Sequence, residues 1–149
     1  MLVWQAQEHP TSCVAACVRM VLSGFSQDWT ETQVRQVLGR PRLGITLSAT
    51  CARLNQAGAT AFYHEDWSMD DLRDSLRQGR YPIVGVERHI FGYPPASHAV
   101  VLIGVTSRQI KVLDPLDGPQ PRQYGASTFE LAWKLSGGAV LIIETPPRL

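Results

Sequence analysis

The chain has 149 residues, of which 44% are hydrophobic and 18% charged, with a formal net charge of +1. That is the size and composition of one ordinary globular domain, residues 1–149, and it gives no electrostatic basis for binding nucleic acid or an anionic membrane. No apolar run is long enough to span a membrane, no signal-peptide pattern opens the chain, and three cysteines without framework spacing point to a reduced, cytoplasmic protein.

Residues Leu2 to Gln5 are apolar and read as a short strand or anchor leading to Gln7. From Ala15 to Leu22 only Arg19 is polar, so the helix that Cys13 opens should be covered on nearly every side. Thr11 or Ser12 can cap it, and Gly24 supplies its stop. Thr30-Glu-Thr-Gln33 fits a capping box, with Val34, Val37 and Leu38 at helical spacing behind it. Residues Gly39 to Gly44 form a loop before a third helix, capped by Thr46 and carrying Leu47, Cys51 and Leu54. Gly58 ends it, and Ala59 to Tyr63 read as a strand.

Ser68-Met-Asp-Asp71 starts a fourth helix with Leu72 and Leu76 on one face, closed by Gly79. The periodicity then changes. Pro82 to Val86, His98 to Val105, Ile110 to Leu113 and Ala139 to Glu144 are short Val- and Ile-rich runs, as strands should be. Ser127-Thr-Phe-Glu130 is a further capping box, for a short helix holding Leu131 and Trp133. Helices come first and strands later, which predicts an α+β fold with an antiparallel sheet.

A cysteine in the first turn of a helix meets orphan amides and the positive end of the dipole, so its thiolate is favoured. Cys13 is therefore the candidate nucleophile, and it needs a base, normally a histidine oriented by a third group. Among His9, His64, His89 and His98, the last stands at the mouth of the most strand-like run, on a rigid element at its open end. If the Thr106-Ser107-Arg108 turn is a tight hairpin, His98 lies beside Asp114 at the same end of the sheet. Gln7, with the backbone N–H of Cys13, can donate to a tetrahedral oxyanion.

These same segments carry a family resemblance. Gln7 with Cys13 six residues later, then Ala16-Cys17 and Met20-Val21-Leu22, resembles the opening motif of the double-glycine leader peptidases, papain-like cysteine peptidase domains of bacteriocin-exporting transporters and free-standing relatives. Ser97-His98-Ala-Val-Val-Leu-Ile-Gly104 is similar to that family's histidine strand, and Val112-Leu-Asp114-Pro115 with Gly118 to its aspartate segment. The resemblance implies a papain-like fold, N-terminal helices packed on a C-terminal antiparallel sheet. It also implies a peptide or isopeptide substrate cut after a small residue such as glycine, with Cys13 as nucleophile, His98 as base, Asp114 as orienter and Gln7 as oxyanion donor. Two departures stand out: Ser12 and Val14 occupy positions where the family usually has an acidic residue and a glycine. The β-branched Val14 narrows the site beside the nucleophile. No transporter segments follow, so the expectation is a free-standing domain whose substrate need not be an exported peptide.

Other readings of the same residues remain open at this level. Cys17 and Cys51 fall on apolar helix faces and read as small hydrophobes. His9, Cys13 and Cys17 lack the paired elements of a zinc site, Pro10 separates His9 from the helix, and a disulfide between cysteines one helical turn apart has poor geometry; no metal or cofactor is expected. Phe91, Tyr93 and Ser97 belong to the His89–Ser97 loop, which is either a wall of a substrate cleft or a long connection whose aromatics fold back on the sheet. The whole set could also serve a catalytically silent peptide-binding module, and oligomeric state is not readable.

Overall fold

The Val- and Ile-rich runs of the second half owe their near-continuous apolarity to a sheet covered on both faces. In the computed structural model, which describes residues 2–148, the elements are α1 (Cys13–Ser23), α2 (Glu31–Val37), α3 (Leu47–Gln56), β1 (Thr60–His64), α4 (Met69–Arg77), β2 (Ile83–Glu87), a 3-10 turn (Arg88–Phe91), β3 (Ser97–Val105), β4 (Gln109–Leu113), β5 (Arg122–Gly125), α5 (Ala126–Leu135) and β6 (Val140–Thr145). The six strands form one sheet in the order β1-β6-β2-β3-β4-β5, with every neighbouring pair antiparallel. This is the α+β, papain-like arrangement of helices against an antiparallel sheet.

Strand side chains alternate between two cores. Ile83, Val101, Leu113, Leu141 and Ile143 pack with α1, α2 and α3, whereas Val84, Val100, Leu102, Val112, Val140 and Ile142 pack with α4 and α5. Helix α1 is the most buried helix, with Ala16, Cys17, Val18, Met20 and Leu22 all fully covered. Its apolar sequence thus reflects a central position rather than an amphipathic surface one.

The helix starts follow the sequence signals in three places. Thr30 and Gln33 make a reciprocal capping box, Thr46 accepts from the Ala49 N–H, and Ser68 and Asp71 make a second box. Two expected caps are not made. Ser12 stands at the N-cap of α1 with φ −103° and ψ 25°, outside the extended conformation that aims a hydroxyl at the first-turn amides, and makes no side-chain cap. Helix α5 begins at Ala126, with Gly125 as N-cap, because β5 runs directly into it; Ser127 falls inside the first turn.

Of the two readings of Leu2 to Gln5 the anchor holds, with Trp4 Nε1 donating to the Asp114 carbonyl at 2.8 Å and the Val3 N–H to Ser23 Oγ at 2.9 Å. Two other differences have local causes. Strand β5, Arg-Gln-Tyr-Gly, is a mostly exposed edge with almost no apolar residue to betray it. The β3–β4 hairpin changes register along its length. The Thr106 N–H donates to the Gln109 carbonyl at 2.9 Å across Ser107 and Arg108, but Leu102 faces Val112 while Gly104 faces Lys111, so Ile103 is bulged out of the ladder. His98 and Asp114 still end at the same edge of the hairpin.

Candidate active site

The approach to α1 is a tight loop held from below. The Gln7 N–H donates to the Pro115 carbonyl at 3.1 Å, tying the N-terminal segment to the chain just past β4. Ser12 folds its hydroxyl back into the loop, accepting from the His9 N–H and contacting the His9 carbonyl, each at 3.0 Å. Beneath it lies Glu31, the first residue of α2 and fully buried. Its Oε1 accepts from the Glu8 N–H at 2.9 Å and from Ser12 Oγ at 3.1 Å, while His9 Nε2 stands 4.0 Å from Oε2. Nothing in the sequence marks Glu31, because only the tertiary fold buries this carboxylate under the loop.

Cys13 follows as the first residue of α1, half-buried, where helix amides have no intrahelical partner. His98, 6% exposed, faces it from the start of β3. The imidazole Nε2 is 2.7 Å from Asp114 Oδ1, which leaves Nδ1 for the thiol. Asp114, 4% exposed, is fixed in turn: Oδ1 also accepts from the Leu116 N–H at 2.9 Å, and its backbone carbonyl takes the Trp4 indole. Asp114 thus fixes the imidazole, which shares one cleft with Cys13.

Their electrostatics agree. Burial works against ionisation of Cys13, but hydrogen bonding and charge from His98, with the Ala99 and Val14 amides, outweigh it and lower the thiol pKa. Burial likewise opposes charge on His98, yet its bonds to Asp114 and Cys13 raise the imidazole to about 9. For Asp114 burial pushes upward, and His98, the Leu116 amide and the field of Arg88 bring the carboxyl below its ordinary value. Both shifts act in the direction of a thiolate–imidazolium pair, with the carboxylate beside the imidazole. Cys17, fully buried one turn away, is pushed well up by burial, and Cys51 is raised by burial too.

Gln7 is nearby but engaged. Its Nε2 donates to the His9 carbonyl at 2.9 Å and the Pro10 carbonyl at 3.2 Å, and its Oε1 is buried without a partner. Both amide hydrogens are thus committed to the loop that precedes Cys13.

Cys13 and His98 open onto a cleft of about 690 Å³. The segment Leu43–Leu47 lines it, with Leu43 92% exposed. Arg88, Ala96, Ser97, Leu116, Gly85, Ala99, Ala139, Ser136 and Tyr63 line it as well. Val14 and Ser97 line it, as the sequence suggested. Phe91 and Tyr93 do not: Phe91 stacks on Tyr124 at 3.9 Å between ring centroids, and the Tyr93 hydroxyl donates to Asp117 Oδ2 at 2.9 Å. The 3-10 turn after β2 folds these rings back on the sheet, correcting their reading as cleft walls. Arg88, Leu43, Leu116, Gly85 and Ser136 were not legible as cleft residues, since loops distant in sequence meet only in the fold.

The fold has close relatives among solved structures. A crystal structure of a putative C39-like peptidase from Bacillus anthracis aligns at TM-score 0.73 and 12% identity, covering 99% of this chain and 100% of that one. The peptidase domain of Streptococcus ComA, a bi-functional ABC transporter involved in quorum sensing, aligns at 0.75 and 17%, covering 99% and 98%. A double glycine motif protease from an AMS/PCAT transporter, in complex with its leader peptide, aligns at 0.71 and 20%, covering 99% and 93%. No curated protein matches the sequence. At these identities the alignments establish a shared cysteine-peptidase fold. Residues 2–141 also match a family model, a span holding all of α1 to α5 and the Cys13, His98 and Asp114 cluster, and the chain thus belongs to the Peptidase_C39 like family.

Proposed function

We propose that the protein is a cysteine peptidase that hydrolyses a peptide or isopeptide bond through Cys13, His98 and Asp114. The observation that carries this reading is the buried His98–Asp114 pair, Nε2 to Oδ1 2.7 Å, opening with Cys13 onto one cleft, with the thiol pKa lowered and the imidazole raised to about 9. The Cys13 thiolate attacks the carbonyl carbon, and the tetrahedral oxyanion takes the backbone N–H of Cys13. His98 passes its proton to the departing amine as the C–N bond breaks, leaving an acyl thioester. Water then attacks with His98 as base, releasing the acid and restoring the thiolate–imidazolium pair. Asp114 holds the imidazole through Nε2 throughout. Gln7 serves as second oxyanion donor by exchanging one of its bonds to His9 or Pro10 for the oxyanion.

The small residues Gly85, Ala99 and Ala139 beside the cysteine favour a slender substrate segment, with a residue such as glycine at the cut. A peptide substrate is also supported by the relative that holds a leader peptide. The chain has no helix among the described residues long and apolar enough to cross a membrane, and cytoplasmic action on a soluble peptide or protein is part of this reading. The committed Gln7 amide is the one feature favouring the alternative, a silent peptide-binding module of the same fold.

The test is iodoacetamide alkylation against pH, mapped by mass spectrometry, in wild type and His98→Ala. Peptidase chemistry requires Cys13 to react well below its ordinary pKa of 9.0 and ahead of Cys17 and Cys51, and His98→Ala to slow it. If Cys13 reacts no faster than Cys51 and His98→Ala changes nothing, the silent module is the better account.

A further inference from the structure

The cleft is almost uncharged. Of all the side chains lining it, Arg88 is the single Lys, Arg, Asp or Glu. Its guanidinium is also unspent. Arg19, Arg73, Arg77, Arg80 and Arg122 each pair with a carboxylate, whereas Arg88 makes no ion pair and no side-chain hydrogen bond among the described residues.

It is nevertheless held in place. The Arg88 N–H donates to the Ala96 carbonyl at 2.9 Å, and the guanidinium lies 4.1 Å from the centroid of the Tyr93 ring. That ring is itself fixed, its hydroxyl donating to Asp117 and accepting from Arg122 at 3.0 Å, while Arg122 Nε meets Asp117 Oδ2 at 2.7 Å. The guanidinium thus sits over an aromatic platform, and its N–H donors have no protein acceptor among the described residues. A planar fork of donors held over a fixed ring, in a cleft with no other Lys, Arg, Asp or Glu, is suited to a carboxylate. Ordering the arginine costs little at binding because the stack has already done it.

We propose that Arg88 is a specificity residue that receives a carboxylate of the peptide substrate, either an Asp or Glu side chain next to the cut or the terminal carboxylate of a short peptide. The inference rests on the peptidase reading above. A competing account confines Arg88 to the interior: its field also reaches Asp114, and it would then support the imidazole without meeting substrate. The two accounts differ in which reagents they affect. A counter-charge for Asp114 changes the reactivity of Cys13 toward every electrophile, whereas a carboxylate receptor changes it only toward acidic ones.

The experiment captures Cys13 with four labels, in which the thiolate displaces chloride and a carbon–sulfur bond forms: chloroacetyl-aspartate amide, its asparagine counterpart, chloroacetyl-glycine and its amide. Rates are measured by intact-mass spectrometry in wild type, Arg88→Gln and Arg88→Lys, with thermal melts to verify folding. In wild type the acid-to-amide rate ratio should exceed that of Arg88→Gln by about tenfold, the scale of one charge-assisted contact. Comparing ratios between proteins cancels the attraction that His98 exerts on any anion. Arg88→Lys keeps the charge but loses the planar fork and should fall between the two. The aspartate pair reports a side-chain carboxylate and the glycine pair a terminal one. Equal ratios in wild type and Arg88→Gln for both pairs overturn the proposal, as does an equal slowing of acid and amide labels. Failure of the peptidase reading looks different: Cys13 would be no more reactive than Cys51 toward every label, whatever the ratios.

Discussion

The charge of Asp114 is the most direct point at which to test the site. Asn at this position keeps an oxygen for the imidazole Nε2–H, now 2.7 Å from Oδ1, and for the Leu116 amide, so the change is electrostatic rather than steric. Burial alone would lower His98, and Asp114 and Cys13 together lift it from 6.5 to about 9. That gap corresponds to about 3 kcal/mol in favour of the imidazolium. Asp114 is one of the two partners that overcome burial, so in Asp114→Asn the equilibrium constant between the ion pair and the neutral pair should fall by about tenfold or more. The assay is the pH dependence of Cys13 alkylation by iodoacetamide. In Asp114→Asn the acid-side rise should move toward the ordinary thiol range of 9.0, with a rate about tenfold lower at about pH 6. The two proteins should converge near pH 10, where the thiol ionises without help. Coincident profiles across the whole range would mean that Asp114 does not sustain the pair, and the electrostatic reasoning would fail.

Other outcomes follow from the same geometry. Glu31→Ala leaves the Glu8 N–H and Ser12 hydroxyl without their buried acceptor, a cost of about 1–3 kcal/mol that should lower Tm by several degrees, while Glu31→Gln keeps an acceptor and should lose less. Differential scanning calorimetry of the two variants checks this, and equal losses would refute the acceptor role. Stability against pH tests the pair as a unit. The raised His98 contributes stability that is full below 6.5 and lost as pH rises to about 9, while the lowered Cys13 contributes with the opposite slope as pH climbs toward 9.0, so Tm of wild type should be nearly flat in that window and Tm of Cys13→Ala should decline across it. A decline of equal slope in wild type would show that the two titrations are not coupled. At Gly85 an added Cβ would already stand 3.0 Å from Ser136 Oγ at the cleft, so Gly85→Val should block capture of Cys13 by haloacetyl peptides while iodoacetamide alkylation stays within about twofold of wild type.

What the sequence disclosed, and what it withheld, divides by the range of the interactions involved. Cys13, His98 and Asp114 lie at the ends of elements with strong local signatures: an all-apolar helix, a long Val-rich strand and an Asp-Pro stop. The hairpin brought His98 and Asp114 together even though its register was misjudged, since the Ile103 bulge shifts facing residues without changing which end they share. The resemblance supplied the roles that are proposed for these residues, and the covered sheet explains the continuous apolar strands. Strand β5 stayed hidden because an exposed edge needs no apolar residue, and the α5 cap failed because Gly125 already belongs to β5. For Phe91 and Tyr93 the sequence leaves two readings open, cleft wall or rings folded back, because nothing local separates them. A 3-10 turn, invisible as a periodicity, directs them to Tyr124 and Asp117.

The division has a physical reason that bears on the site itself. The chemistry needs atoms fixed to within fractions of an ångström, and the fold supplies this by placing Cys13 on its most buried helix and His98 on a strand flanked on both sides within the sheet. Burial on that scale demands long apolar runs, and those runs are what a sequence displays best. Recognition has the opposite requirement. The Leu43 rim, Arg88 and the Leu116 edge, which line the cleft and would meet the proposed substrate, sit outside the long helices and strands, in segments free of their periodicity. Gln7 stands between the two regimes: its position relative to Cys13 is legible, but the direction of its amide is set by the His9 and Pro10 carbonyls. Whether the bond to His9 or Pro10 opens during acylation is therefore the point where rigidity must yield to catalysis. Gln7→Ala decides it: acylation by p-nitrophenyl acetate, which builds an oxyanion, should fall about a hundredfold, while iodoacetamide alkylation, which builds none, should not change. Parallel losses in both reactions would mean that Gln7 serves the loop alone.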